Sequence, residues 1–283
     1  MKYAFIKEAS EDHSVTTLCR VLRVSRSGYY HWLHNRQSRQ LKDQPLLDQI
    51  QLVHEQHRGN SGVLKTWEVL QLNGISCGKH RVARIRREHG IVAKRRRRFI
   101  AITRSRSGDR HAPNLLGRAF AQSEPNRVWV GDVTYIPARR GLVYLAVLID
   151  LYSRLVVGWS LSNRNDVVLI VQALKMANRW RRPKPGLMHH TDRGVPYASR
   201  TYKNQLKSMD TVASMSAKGD CWDNAVAESF FATLEFELLD QTPMADLTSA
   251  RREVGEFIEL FYNRQRAHQT LGYKTPVEME SVA

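Results

Sequence analysis

The sequence has few cysteines, no long apolar stretch and little acid in its first half, and each shortage excludes a class of protein. Its 283 residues include three cysteines, Cys19, Cys77 and Cys221, which lie far apart and form no C-x-x-C pair. This argues against a disulfide scaffold and against a cysteine-rich zinc module. No apolar run reaches the roughly 20 residues of a membrane span, and the start MKYAFIKEASEDH turns acidic too early for a signal peptide. We therefore expect a cytoplasmic protein with no membrane partner.

The shortage of acid is confined to the first half of the chain. Residues 1–127 carry 25 Lys and Arg against 10 Asp and Glu, whereas the remaining residues carry 19 against 17. Such a surplus attracts a polyanion through steering and counterion release, so nucleic acid is the leading partner. An anionic membrane and a purely solubilising role are the alternatives. Since 42% of the residues are hydrophobic, the chain can bury a core.

The first helices predicted in the basic half form a helix-turn-helix pattern. Ser14 is a candidate N-cap, and the helix after it has apolar residues spaced as i, i+3, i+4 and i+7: Val15, Leu18, Cys19 and Leu22. Ser25 caps a second helix that contains RSGYYHWLHNR. Two consecutive helices also occur in any helical bundle, so the DNA-binding interpretation and the structural one both stay open.

A similar pair of helices follows, and its second helix is strongly basic. Val63, Trp67 and Leu70 stripe the first of them, Asn73 and Gly74 form the turn, and Val82 and Ile85 stripe the second, which Gly90 ends. The polar face of the second helix is predicted to carry Lys79, Arg81, Arg84, Arg86 and Arg87. A further basic run consists of Lys94, Arg95, Arg96, Arg97 and Arg98. We expect phosphate contacts from this region, with a merely solvated charge run as the alternative.

The residue composition of the sequence changes after a stretch rich in Ser, Gly and Pro. Three apolar, β-branched runs, VWVGDVTYI, GLVYLAVLID and RLVVGWSLS, are joined by short turns and predict three neighbouring antiparallel strands. A helix, the strand GLMHHTD, a helix from about Ser199, the strand TVASMS and a long helix from about Asp223 to Leu239 follow. This order predicts an α/β mixed sheet with flanking helices.

Three acids stand out in this region. Asp132 lies inside the first strand, Asp192 ends the fourth strand in an Asp-Arg-Gly turn, and Glu228 lies on the long helix, pointing about 130° away from its buried stripe. If they converge, their repulsion requires a cation, and oxygen ligands select Mg²⁺ or Mn²⁺. Two such ions promote phosphoryl transfer. The spacing alone leaves an alternative open, in which the acids are a strand pair, a turn cap and a surface helix residue.

A family resemblance decides between these alternatives. WVGDVTYI, HHTDRGVPYAS and KGDCWDNAVAESFFATL resemble the three catalytic blocks of insertion-sequence transposases, whose D-D-E core is shared with retroviral integrases. Asp192 and Glu228 are separated by 35 residues, which is the spacing typical of that family. SRSGYYHW, the paired helices and YNRQRAHQTLGYKTP extend the likeness over most of the chain.

The resemblance implies a ribonuclease-H-like fold that holds two Mg²⁺ ions, for which Mn²⁺ can substitute, with Asp132, Asp192 and Glu228 as ligands. It implies a D-D-E transposase, a polynucleotidyl transferase that nicks DNA at the 3′ ends of an element and transfers the freed 3′ hydroxyl to a target. The implied partners are double-stranded DNA of the element ends and the target, further copies of the chain on that DNA, and a helix-turn-helix and leucine-zipper segment encoded by an upstream frame. The expected location is the bacterial cytoplasm, on the nucleoid.

These expectations divide the chain into five parts. They are a helix-turn-helix-like region (1–58), a second, basic one (59–98), a linker (99–125), the catalytic core (126–240) and a C-terminal helical extension (241–283). Lys218 is expected to face phosphate, and Asp223 or Asn224 to cap the helix of Glu228. Asp150 is the competing acid, and we interpret it as structural. His190 shares the strand face of Asp192 and is either a ligand-orienting or a satisfied histidine.

Two departures from the family pattern are visible. Glu235 stands where relatives place a lysine or arginine two turns after the catalytic glutamate, and the second helix pair begins with NSGVLKTW instead of a Tyr-Gly entry. The first puts contact with terminal DNA in doubt. Two other functions therefore stay open: a DNA-binding regulator with an inactive core, and a metal-dependent nuclease without strand transfer.

Overall fold

The computed structural model describes residues 2–94, 112–217 and 224–281, and the chain divides into two compact units, Met1–Ala93 and Lys94–Ala283. Within the described ranges, each helix is too short or too polar to cross a membrane. Arg95, Arg96, Arg97, Arg98 and Lys218, all predicted to contact phosphate, lie outside the described residues.

The first unit is helical, as predicted. Its helices are α1 (Lys2–Ala9), α2 (Val15–Val21), α3 (Arg26–Gln56), α4 (Val63–Leu72) and α5 (Lys79–Glu88). Both predicted serine caps are present, because the hydroxyl of Ser14 accepts the N–H of Thr17 and that of Ser25 accepts the N–H of Gly28. The helix that Ser25 caps, α3, is 31 residues long and continues through Pro45.

The prediction for Arg86 was wrong, because its side chain does not lie on the polar face of α5. Arg86 is buried, and its guanidinium donates to the hydroxyl of Thr66 at 2.8 Å and to the carbonyl of Ser61 at 2.7 Å. Burial lowers the pKa of Arg86. A buried guanidinium requires such partners, so Arg86 holds α5 to the start of α4 instead of facing a ligand.

The second unit is built on a five-stranded mixed sheet, as predicted. Its strands are β1 (Val128–Ala138), β2 (Gly141–Asp150), β3 (Val156–Ser162), β4 (Met188–Thr191) and β5 (Val212–Met215). The spatial order is β3-β2-β1-β4-β5, with antiparallel pairing from β3 to β1 and parallel pairing from β1 to β5. Its helices are α6 (Val167–Arg181), α7 (Val195–Ala198), α8 (Arg200–Ser208), α9 (Ala225–Leu234), α10 (Leu247–Glu256) and α11 (Pro276–Glu280).

The two faces of the sheet bury separate cores because strand side chains alternate between faces. On β1, Val128, Val130 and Ile136 pack under α9 and α10. Trp129 lies between Val128 and Val130 in the strand and therefore points to the opposite face, where it packs with α6 and α8. Asp132 shares the parity of Val130, so its side chain belongs to the α9 face.

The long helix predicted to end at Leu239 changes its geometry part-way. It is α-helical over Ala225–Leu234 and continues as a π-helical turn, Glu235–Leu239; a second π-helical turn, Phe257–Tyr262, extends α10. Glu237 and Leu238 both lie on the buried side of the first π-helical turn. The change from α-helical to π-helical geometry was not predicted from the sequence.

Candidate active site

The carboxylates of Asp132 and Asp192 are neighbours at one edge of the sheet. The parallel pairing of β1 with β4 ends at Gly131, which lies opposite Thr191. Asp132 is the next residue after Gly131, and Asp192 is the next residue after Thr191. Adjacent strands lie about 4.8 Å apart. Asp192 thus lies directly after the carboxyl end of β4, which is where ligand sites occur in open α/β sheets.

The turn after β4 fixes the position of Asp192. Its Oδ1 accepts the N–H of Gly194 at 2.9 Å, and Arg193 donates from Nε to the carbonyl of Ser216 at 2.8 Å. A Cβ atom at Gly194 would lie 2.9 Å from the same carboxylate oxygen, so a side chain there would displace the Asp192 carboxylate. Asp132 is held in a similar way, because its Oδ1 accepts the N–H of Val133 at 2.7 Å.

The acids raise one another's affinity for a proton or a cation. The pKa of Asp132 is raised well above its ordinary value, first by burial and then by the negative charges of Asp192 and Glu228. Burial also raises the pKa of Asp192 and that of Glu228. A metal ion would relieve the same repulsion without protonating the site.

Glu228 lies in the first turn of α9 and is exposed, as predicted from its angle to the buried stripe. It is near enough to Asp132 for its charge to raise the pKa of that residue. Even so, no group of three or more His, Cys, Asp and Glu side chains in the described part of the chain is placed to hold a metal ion. The three acids therefore lie near one another at one edge of the sheet, but their side chains are not arranged as a set of metal ligands.

Asn224 is a site residue that sequence reasoning treated only as a helix cap. It occupies the N-cap position of α9 but makes no side-chain cap, and its amide is buried. The amide lowers the pKa of Asp132, although neither of its polar atoms has a hydrogen bond of normal geometry among the described residues. Such an amide beside the Asp132 carboxylate fits a site that takes up a further group. Asp223 lies outside the described residues.

Asp150 has the contacts of a structural acid. Its carboxylate is fully buried and accepts the N–H groups of Asn126 and Tyr152 at 2.7 and 2.9 Å. Arg181 lies 3.8 Å from the same carboxylate and also pairs with Glu280 of α11. Asp150 therefore ties strand ends to the C-terminal helix.

Both strand histidines are buried in the core, and His190 has hydrogen-bond partners on both ring nitrogens, whereas among the described residues His189 has one on Nδ1 only. His190 is hydrogen-bonded through Nδ1 with the hydroxyl of Ser214 at 2.8 Å and through Nε2 with that of Ser216 at 3.2 Å. His189 faces the other side, where its Nδ1 meets the Tyr202 hydroxyl at 2.7 Å, and burial lowers its pKa to about 3. The sequence signal that could have indicated the first of these contacts is the alternation of Ser214 in β5 with Ser216 directly after it.

Three of the predicted DNA-binding residues, Arg84, Arg87 and Lys94, lie in the described part of the chain, and they differ in whether they already bind other side chains. Arg87 is exposed on α5. Arg84 is bound within the unit, at 2.6 Å from the carboxylate of Asp43 and 2.8 Å from that of Glu88. Lys94 donates to the side-chain carbonyl of Gln241. Arg87 is thus the freest of the three.

The geometry agrees with sequence comparisons that define the class of protein. The family described as "Integrase core domain" matches residues 122–221 and, in a second part, residues 209–276, and the family "HTH-like domain" matches residues 40–99. The chain thus combines an integrase-type catalytic core with a helix-turn-helix-like region.

Relatives of nearly the same length narrow the class to one family. The chain is 40% identical to the "Insertion element IS600 uncharacterized 31 kDa protein" of Shigella sonnei over 92% of this chain and 96% of the relative. It is 38% identical to "Transposase InsF for insertion sequence IS3A" of Escherichia coli (strain K12) over 99% of both chains. The "Transposase for insertion sequence element IS904" of Lactococcus lactis subsp. lactis (strain IL1403) is 36% identical over 88% of this chain and 98% of its own length. The chain belongs to the insertion-sequence transposase family.

Solved structures show more distant likeness. A simian T-cell lymphotropic virus intasome in complex with a PP2A regulatory subunit contains a chain that is 17% identical, with a TM-score of 0.49 over 75% of this chain and 69% of that chain. The HTLV-2 integrase catalytic core domain in complex with magnesium is 20% identical, with a TM-score of 0.44 over 56% of this chain and 98% of that one.

Proposed function

We propose that this chain is the transposase of an insertion sequence, and that it nicks DNA at the 3′ ends of the element and joins them to a target. The observation that carries the proposal is the proximity of Asp132, Asp192 and Glu228 at one sheet edge, where the pKa of Asp132 is raised by burial and then by the charges of the other two acids. Their order and spacing match the family to which the chain belongs.

Asp132, Asp192 and Glu228 are the residues that would hold divalent metal ions, Mg²⁺ with Mn²⁺ as a substitute, because three carboxylates form a hard oxygen donor set. Bound there, such ions supply activation of the attacking oxygen and stabilisation of the leaving oxygen in phosphoryl transfer. The Gly194 turn keeps Asp192 at the edge, and the exposed side chain of Glu228 would complete the set if it turned towards the aspartates. Asn224 supplies an amide beside Asp132.

The helical unit would bind the DNA on which the core acts. Arg87 of α5 is exposed for phosphate contact, and the basic run from Lys94 to Arg98 follows it in sequence. Arg84 would contribute only by exchanging its carboxylate partners for phosphate. We propose further that several copies assemble on the element ends, with an upstream-frame helix-turn-helix and leucine-zipper segment as an additional partner.

Incubation of the full chain with its own terminal DNA, with and without Mg²⁺ or Mn²⁺, tests the proposal. Single Asn or Gln replacements of the three acids should abolish both nicking and joining while leaving DNA affinity in metal-free buffer within about twofold of wild type. Asp210→Asn is the matched control, because it removes an exposed acid after α8, outside the site. Its activity should equal that of the wild type.

The products separate the proposed function from its alternatives. Cleavage without joining identifies a nuclease, and tight DNA binding with neither reaction identifies a regulator with an inactive core. Either result, obtained with the element's own ends and either metal, contradicts the proposal. Full activity of one acid variant removes that residue from the site.

A further inference from the structure

The helices on one face of the core sheet carry a strong positive charge. α6 and α8 pack on the same side of the sheet and contact each other. Together they contain six Lys and Arg residues and no Asp or Glu. By contrast, α9, α10 and their π-helical extensions, on the other side, contain six Glu and two Arg. The two faces of a nearly neutral region therefore differ sharply in charge.

Five of the six cations of α6 and α8 point outward, on one face of each helix. One of the six, Arg181, is turned inward to Glu280. The other five are exposed, and we name them the α6–α8 basic face: Lys175, Arg179, Arg200, Lys203 and Lys207. Their spacing is i and i+4 on α6, and i, i+3 and i+7 on α8, while Tyr202 and Leu206 occupy the buried side of α8.

The cations of this face lack the carboxylate partners that three other exposed arginines of the core have. Arg140 pairs with Asp246, Arg164 with Asp166 and Arg252 with Glu253. Among the described residues, none of the five cations of the α6–α8 basic face pairs with a carboxylate. A cluster of uncompensated like charges is electrostatically unfavourable until an anion neutralises it. This face is therefore built to receive a polyanion.

The face begins near the acidic site. Because β4 and β5 are parallel, α8 must leave from the carboxyl end of β4, where Asp192 lies, and run back along the sheet. Arg200, the first residue of α8, therefore lies towards the site, and Lys203 and Lys207 lie progressively further from it. The 15 residues of α6 extend about 22 Å, which matches the length of roughly six base pairs.

We infer that the α6–α8 basic face binds the phosphate backbone of duplex DNA, and that it does so as a surface of the core itself, separate from the helical unit. That the polyanion is DNA rests on the proposed function. The five cations follow the duplex away from the acidic site and set the direction in which DNA leaves it. Phosphate contacts of this kind position DNA without reading its sequence.

The salt dependence of binding by the full chain tests this inference in metal-free buffer, where no cleavage occurs. The probe is a 30-base-pair duplex of arbitrary sequence, followed by fluorescence anisotropy from 50 to 300 mM NaCl. Each lost phosphate contact lowers the slope of log affinity against log salt by about 0.9. The triple variant Lys175→Gln/Lys203→Gln/Lys207→Gln should therefore lower the slope by about 2.7.

The matched control removes the same charge from paired cations. Arg140→Gln/Arg164→Gln/Arg252→Gln should change the slope by less than one, because each of these arginines already has a carboxylate partner. All six positions are exposed, so both variants should melt within about 2 °C of the wild type. An equal effect of the two variants, or an unchanged slope in the first, overturns the inference.

Other occupants of the face give different results. Trp180 is 75% exposed beside Arg179 and would suit an anionic membrane surface. Loss of binding to phosphatidylserine vesicles by the first triple variant, with an unchanged duplex slope, overturns the inference. A changed sedimentation coefficient with an unchanged slope assigns the face to a second copy and also overturns it. Failure of the metal-dependent reaction leaves the slope measurement unaffected, so the two proposals fail separately.

Discussion

The ion pair between Arg266 and Glu237 should be a main attachment of the C-terminal segment to the core, and Arg266→Ala tests this. Arg266 Nε lies 3.0 and 3.2 Å from the two carboxylate oxygens of Glu237, and Nη2 lies 3.0 Å from one of them. The side chain of Glu237 is only 6% exposed and that of Arg266 18%. Removing the arginine leaves a charged carboxylate buried and uncompensated.

The expected loss follows from the burial of the pair. Breaking a buried ion pair by removing one partner costs about 3–5 kcal/mol. We expect the lower end, about 3 kcal/mol, because the arginine retains some contact with water. Arg266 also lies 5.8 Å from the ring centre of Tyr262, which packs edge-on against Phe230 of α9 at 4.8 Å. Removal of the arginine therefore also loosens the packing that supports the helix of Glu228.

Differential scanning calorimetry of the full chain measures this loss. For a unit of this size, 1 kcal/mol corresponds to roughly 2–4 °C in Tm, so Arg266→Ala should melt about 6–12 °C below wild type. Arg264→Ala is the matched control, because it removes an exposed arginine two residues earlier. It should change stability by no more than about 0.5 kcal/mol.

A double variant decides whether the buried charge is the cause. Glu237→Leu/Arg266→Met replaces the pair by apolar side chains of similar length and should recover most of the lost stability, because no charge remains buried. Two results refute the reasoning: a loss below 1 kcal/mol in Arg266→Ala, or a double variant as unstable as that single variant.

Three further predictions concern the site and the two units. In metal-free protein, Tm should fall as pH rises through the elevated pKa of Asp132, because a folded-state pKa above the unfolded one stabilises at low pH only; Asp132→Asn should reduce that fall in a pH series of melting curves, and the raised pKa values of Asp192 and Glu228 account for the remainder. Gly158→Ala should cost about 1–3 kcal/mol in urea unfolding, since its Cβ would lie 2.4 Å from a backbone carbonyl of α6, whereas Gly78→Ala, with open space around it, should be near neutral. Arg86→Met should lower Tm, because it leaves two buried hydrogen-bond acceptors unpaired, whereas Arg87→Met should weaken DNA binding with Tm unchanged; the reverse pattern would contradict both assignments.

Local patterns in the sequence were sufficient for the elements and for the position of the acids along them. The serine caps at Ser14 and Ser25, the alternation in the strands and the stripe of α9 each depend on residues a few positions apart. For the same reason, Asp132 could be assigned to a strand and Asp192 to a turn at a strand end. The neighbouring places of these two acids then follow from strand order, which the alternation of helices and strands restricts strongly.

Only the tertiary structure decided which charged groups are buried, because that depends on partners far away in the chain. Arg86 was predicted to lie on the polar face of its helix, yet Ser61 and Thr66 supply the acceptors that let it enter the core. Glu237 lies on the buried stripe of its helix, and its charge is tolerated there because Arg266, 29 residues later, pairs with its carboxylate. A charge is stable in the interior only where a distant partner meets it, and a period read along one helix contains no information about that partner.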